Sequence, residues 1–296
     1  MFLTRLTVAL LAASLMTALA GAPALAKRPS PTPTPTPDER PLTPAELAAA
    51  DAKIAAAEAY LASTPDGPQL TTLACVYPNG ADSTADASGD ETIAATCATP
   101  SYVLGVEARD QNRSHWCGPA VGQVISNYSW AVASGKNKYA QRTIAGWMGT
   151  DAAGSTNAHA LEDGLERATA GSPRRPANWD WVVTYLKDTD GDGQVGDQLH
   201  SYVRASVSGS RMPLAIPVKP HDRYSQYHLS SWPRPVSSMG HWIAGYGWYA
   251  YWTNSDTPHV AYTDSSKDEG GSTGKFWDPT RHLAAMILEH TRRFVW

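Results

Sequence analysis

The sequence predicts an α+β protein, and its order of elements carries that reading. Helical periodicity dominates the middle of the chain, strand-like apolar runs dominate from about residue 214 onward, and no internal repeat is present. Helices followed by strands with turn chemistry between them suit helices packed on an antiparallel sheet.

The chain has 296 residues, a net charge of -4, and three cysteines. Residues 1–26 hold one early arginine, an apolar run, and Ala24-Leu25-Ala26 at the end. This pattern predicts a secretory signal, because the apolar stretch is too short for a membrane span and closes on small residues. No later stretch is long and apolar enough to cross a bilayer, so an exported protein is expected, secreted or associated with the cell wall. Residues 27–42 form a linker in which Pro31 to Pro37 alternate proline and threonine. Such a run favours polyproline II and builds no core.

Thr43-Pro44-Ala45-Glu46 reads as a helix start, with Thr43 as N-cap, Pro44 at the first position and Glu46 closing a capping box. The helix is expected to run to about Ser63, with Leu47, Ile54 and Leu61 along one face. Thr64-Pro65-Asp66-Gly67 ends it, and the rest of 43–100 is irregular, a spacer or a propeptide. In an oxidising compartment Cys75 and Cys97 are expected to close this loop with a disulfide. Cys117 is then left over, and an odd thiol in an exported chain points to reactivity.

The remaining domain is expected over 101–296. Val103, Leu104 and Val106 suggest a short strand. A helix starting at Cys117 places Ala120, Val121, Val124, Ile125 and Tyr128 on one face. Helical pieces are expected at 145–148, 158–167, 179–186 and 283–290. Strands are expected at 214–218, 242–251, 259–263 and 293–296, with a turn at 253–256 joining the second and third.

A thiolate attacks carbonyl carbons and a thiol does not, so a nucleophilic cysteine needs a helix N-terminus or an imidazole to ionise it. Cys117-Gly118-Pro119 opens a helix, where unpaired N–H groups favour an anion. Gly118 is expected to let a substrate carbonyl approach the backbone. Gln111, six residues before Cys117, is placed to return its amide to the site as an oxyanion donor beside the Cys117 N–H. His241 opens the strand Trp242-Ile243-Ala244-Gly245-Tyr246-Gly247-Trp248 and is the expected general base. Asp264 ends the next strand and would lie beside it as the group that holds the ring. His115 is expected to be an ordinary loop residue.

Gln, five residues, Cys-Gly-Pro at a helix start, then Gly-His on a strand and Asp ending the next, resembles the papain-like cysteine peptidases. The short Cys-Gly-Pro form, with Pro213-Leu214-Ala215-Ile216-Pro217-Val218 before the histidine, is most similar to the double-glycine (bacteriocin-processing) peptidase-like family. The resemblance implies a papain-like fold. It implies Cys117 as nucleophile, His241 as general base and acid, Asp264 as orienting residue and Gln111 as oxyanion donor. Family members often follow the aspartate with proline, which Asp264-Ser265 lacks and Trp277-Asp278-Pro279 has, so Asp278 stands as the alternative.

The activity implied is hydrolysis of peptide or amide bonds without a catalytic cofactor, on a peptide or protein substrate that includes cell-wall peptide. Transfer of the same acyl-enzyme to another acceptor, as in transglutaminase-like proteins, is a rival. So is a non-catalytic wall- or glycan-binding protein that uses Trp116, Trp130, Trp232, Trp242, Trp248 and Trp252 for contact. A monomer is expected, and nothing in the charge balance points to nucleic acid. Asp188, Asp190, Asp192, Gln194 and Asp197 follow much of a calcium-loop pattern, although Leu199 stands where a bidentate Glu is expected. A structural Ca²⁺ is therefore expected there, with a solvated acidic turn as the alternative.

Overall fold

The described chain is organised around an antiparallel sheet into whose central strand nearly every side chain is buried. The computed structural model describes residues 40–64, 101–150, 155–187, 195–219, 227–232, 240–250, 257–266 and 271–296. The expected signal, most of the linker, the Cys75–Cys97 pair, the 253–256 turn and residues 188–194 of the calcium loop lie outside these residues.

The strands are β1 (Ser101–Val103), β2 (Val183–Tyr185), β3 (Leu214–Val218), β4 (His241–Tyr249), β5 (His259–Asp264), β6 (Gly274–Pro279) and β7 (Arg293–Val295). Their order is β2-β7-β3-β4-β5-β6, β1 adds to β4, and every pairing is antiparallel. The helices are α1 (Pro44–Ser63), α2 (Cys117–Ser129), α3 (Gln141–Trp147), α4 (Ala158–Thr169), α5 (Val195–Arg204) and α6 (Thr280–His290), with a π-helical segment at Ala205–Ser210. The fold class is α+β, with helices on an open antiparallel sheet.

Residues 241–248 of β4 are all buried. Alternate residues of a strand face opposite ways, so burial of both sets means that both faces are covered. α2 and α5 pack against β4, and α6 packs against β3. Every residue of α2 is buried, which fixes the orientation of its first residue, Cys117.

α1 starts as its capping box requires. The Thr43 hydroxyl accepts from the Glu46 N–H, and the Glu46 carboxylate accepts from the Thr43 N–H at 2.7 Å. Its buried face is not the predicted leucine stripe: Leu47 is 41% exposed, and Ala50 and Ala57 face inward. Small side chains let the helix lie close to α5 and the π-helical segment, leaving its larger residues at the rim.

The helix expected at 179–186 is absent. Trp181 and Val182 lie outside any helix, Val182 exchanges backbone hydrogen bonds with Trp296, and the chain leads into β2, whose residues pair with β7, Val183 facing Val295. Val182, Val183, Thr184 and Tyr185 are β-branched or aromatic, and the pleated surface suits them better than a helix. The short strand near Val103 forms as β1, but Val103 itself is 38% exposed while Leu104 and Val106 are buried beyond the strand. α5 and β6 form where no element was expected.

Candidate active site

Cys117 is the first residue of α2, and Trp116 before it supplies no side-chain cap. The opening turn therefore keeps N–H groups for a ligand or for the sulfur itself. The backbone N–H groups of Gly118 and Trp242 and the His241 side chain all lie close to the Cys117 sulfur and favour its anion. Burial pushes the thiol up, but the His241 contact and charge and the two backbone donors outweigh it, leaving the thiol below its ordinary range.

The His241 Nε2 lies 2.8 Å from the Asp264 Oδ1. That contact commits one ring nitrogen to Asp264 and turns the other toward Cys117. His241 is 2% exposed and Asp264 is fully buried. Burial pushes the imidazole down, yet the Asp264 carboxylate and the Cys117 sulfur overcome it and raise it to about 10. Burial likewise pushes Asp264 up, and His241, Ser231 and the Ser266 N–H together bring it below its usual value. His241 thus stands between Cys117 and Asp264, and each of the three side chains favours the charged form of its neighbour.

Sheet register explains the placement. Ala244 pairs with Thr263, so the next residue of β5, Asp264, falls beside the opening of β4 where His241 stands. Asp278 is not in the cluster: its carboxylate accepts from the Tyr262 hydroxyl at 2.7 Å and the Ser230 N–H at 3.0 Å, and burial raises it to about 6. Asp264, rather than Asp278, holds the imidazole.

Sequence reasoning missed the segment 227–232. The Ser231 hydroxyl donates to the second Asp264 oxygen at 2.5 Å, and the Ser266 N–H donates to the first at 2.8 Å. The Trp232 ring lies 5.4 Å from the His241 ring and covers it. Replacing Ser231 with alanine removes a hydrogen bond to a buried charge and should cost about 1–3 kcal/mol, measured by urea unfolding. Asp264 is depressed in the fold, so its stabilisation is present above its unfolded pKa and is lost as pH falls through the folded one. Losing the Ser231 donor raises the folded value toward the unfolded one, so the variant should lose less stability on acidification than the native protein does. An unchanged acid transition would contradict this.

Gly118 has a different task from the one expected. A Cβ there would stand 2.4 Å from the Thr156 Oγ1 and 2.6 Å from the Thr156 Cβ, so Thr156 occupies the space assigned to a substrate carbonyl. Thr156 is 2% exposed, and its carbonyl accepts from the Trp242 indole N–H at 2.7 Å. Glycine therefore lets the start of α2 sit against the residue that also anchors β4. Gly118→Ala is expected to destabilise by about 1–3 kcal/mol through overpacking, despite the better helix propensity of alanine. Equal or higher stability in urea would rule out that close approach.

Gln111 lies in the loop before α2. Its amide N–H donates to the Ser114 carbonyl at 2.8 Å, and its Oε1 accepts from the Ser265 hydroxyl at 3.4 Å. Its backbone N–H donates to the Ser265 carbonyl at 3.0 Å, tying the loop to the residue after Asp264. The structure thus groups Cys117, His241 and Asp264, and ties the backbone of the Gln111 loop to the residue after Asp264, while the Gln111 amide itself is directed at the Ser114 carbonyl. His115 stacks edge-on to Trp116 and is absent from the triad. Trp116, Trp232, Trp242 and Trp248 are buried, so they are core and wall rather than an exposed contact face, and Trp252 lies outside the described residues.

Of the calcium-loop residues, only Asp197 is described, in the first turn of α5 and exposed, two residues before the fully buried Leu199. Among the described residues, Glu46, His159 and Glu162 are the one group whose ligand atoms approach closely enough for a metal, within 4.8 Å. The Glu46 carboxylate is already engaged by Arg40 and Thr43. The group therefore reads as an ion-pair junction between α1 and α4. No helix among the described residues is long and apolar enough to cross a membrane.

No family model matches the chain, and no curated protein matches it either.

Proposed function

We propose that the protein is a cysteine hydrolase of papain-like type that cleaves peptide or amide bonds. The observation that carries this is the buried chain from Cys117 through His241 to Asp264, with Cys117 at a helix N-terminus. A free-standing thiol would not be lowered in so apolar a place, and a structural histidine would not need a carboxylate held by two further donors.

In this reading the Cys117 thiolate attacks the substrate carbonyl carbon, and the C=O electron pair moves onto oxygen. The N–H groups at the start of α2 and the Gln111 amide stabilise that oxyanion. The C–N bond then breaks as His241 gives its proton to the leaving amine. His241 next takes a proton from water, whose oxygen attacks the acyl carbon, and the thiolate leaves. Asp264 keeps the ring in one orientation throughout. The burial of Trp116, Trp232, Trp242 and Trp248 favours this over the glycan-binding reading, which needs them exposed; of that set Trp130 is half-buried.

Export rests on residues 1–26, and a Ca²⁺ at 188–197 rests on the spacing of its acidic residues. Calcium at one hundred times its dissociation constant should stabilise by about 2.7 kcal/mol and raise the melting temperature accordingly. A melting curve indifferent to Ca²⁺ and to chelator would remove the ion. The hydrolase reading is tested by exposing a mixed peptide library to the native protein and to Cys117→Ala, then identifying new termini by mass spectrometry. New termini made only by the native protein are expected, and identical libraries would contradict the reading.

A further inference from the structure

The Gln111 loop is fixed by a buried amide that no part of the catalytic reading uses. Gln141, the first residue of α3, is 1% exposed. Its Nε2 donates to the Asp110 carbonyl at 2.6 Å, and its Oε1 accepts from the Asn112 N–H at 2.9 Å. One side chain therefore grips the backbone on both sides of Gln111. The same Nε2 also donates to the Gln123 Oε1 at 3.0 Å. Gln123 lies in α2, six residues after Cys117, and its own Nε2 donates to the Tyr139 carbonyl at 2.8 Å. A ladder of two buried amides thus connects the helix carrying the nucleophile to the residues flanking the oxyanion donor.

We infer that Gln141 is a positioning residue for the oxyanion hole, holding Gln111 in register with Cys117. This rests on the cysteine-hydrolase reading above. A glutamine suits the task because it offers a donor and an acceptor at one end, matched to a carbonyl and an N–H two residues apart. An ionised glutamate would keep only the acceptor, and a leucine neither. Both backbone groups lie in a loop with no ladder of its own, so the amide supplies what secondary structure would supply elsewhere.

Two reactions of the same sulfur separate positioning from folding. Acylation by p-nitrophenyl acetate forms an S–C bond through a tetrahedral oxyanion and expels p-nitrophenolate with the electron pair of the broken C–O bond. Alkylation by iodoacetamide displaces iodide directly and builds no oxyanion. Gln141→Leu and Gln141→Glu should slow acylation about tenfold or more, while alkylation and its pH profile stay within about twofold. In a Gln111→Ala background Gln141→Leu should cost less than about twofold further, because its effect travels through Gln111. Parallel loss of both reactions, or a full additional loss in the Gln111→Ala background, would overturn the inference. If the native protein is not acylated at Cys117 at all, the hydrolase reading fails and takes this inference with it.

Discussion

His241→Ala should lower the alkylation rate of Cys117 at pH 6 by about 10²–10³-fold. Without the imidazolium, the dominant influence left on the thiol is burial, which pushes it up. An ordinary cysteine near 8.5 is thiolate at pH 6 to only a few parts in a thousand. The two backbone donors from Gly118 and Trp242 soften the loss but supply no charge. The sign follows from the pair: the lowered thiol and the raised imidazole, at about 10, define the window in which both are charged. Hydrolysis, which needs the imidazolium as acid, should fall as pH rises through about 10, while alkylation needs only the thiolate and should not. The variant also leaves Asp264 buried without its cation, at a cost of about 3–5 kcal/mol. His241→Gln, which keeps a donor toward Asp264, separates lost reactivity from lost folding. A His241→Gln protein that folds and alkylates as fast as the native one at pH 6 would contradict the pairing.

The second large effect is expected at Asp264. Asp264→Ala should reduce acylation of Cys117 by roughly 10²–10⁴-fold, since the ring then loses its orientation and its charge partner. Asp264→Asn should be milder: its amide oxygen can still accept from the His241 ring, and the Ser231 hydroxyl can turn to accept from the new amide. What it removes is the charge that raises His241. With the imidazole falling back toward its usual range, the rising limb of the alkylation profile should move to higher pH, and hydrolysis should fail well below pH 10. Asp278→Asn, by contrast, should leave both profiles in place, because its carboxylate serves Tyr262 and Ser230. A loss at Asp278 as large as at Asp264 would show that the wrong carboxylate has been assigned.

The parts of the site that depend on local pattern were legible in the sequence. Cys-Gly-Pro announces a helix start, and a histidine and an aspartate at facing ends of a hairpin announce each other through sheet register. Ser231 was not legible, because a serine in Leu229-Ser230-Ser231-Trp232 carries no pattern, and only the return of that segment to β5 gives it a carboxylate to hold. Gln123 and Gln141 were hidden for the same reason: polar residues in helices usually face water, and these two are buried only because α2, α3 and the Gln111 loop converge. Gly118 was read as an opening for substrate because the chain does not reveal that Thr156, 38 residues later, fills the space. The strand β2 was legible and misread: β-branched Val182, Val183 and Thr184 should have outweighed the helical spacing of the aromatics. α5 was obscured by treating 188–197 as a loop with a metal at its centre, although Leu199, Tyr202 and Val203 form its buried face.

The central claim is a thiolate–imidazolium pair at Cys117 and His241. It is tested most directly by alkylating the mature protein with iodoacetamide from pH 4 upward and locating the modified cysteine by mass spectrometry. Rapid, saturating modification of Cys117 below neutral pH is expected, with Cys75 and Cys97 recovered as one disulfide-linked peptide. A Cys117 rate that keeps rising tenfold per pH unit to above pH 8, or a Cys117 found bridged to another cysteine, would mean that no such pair exists.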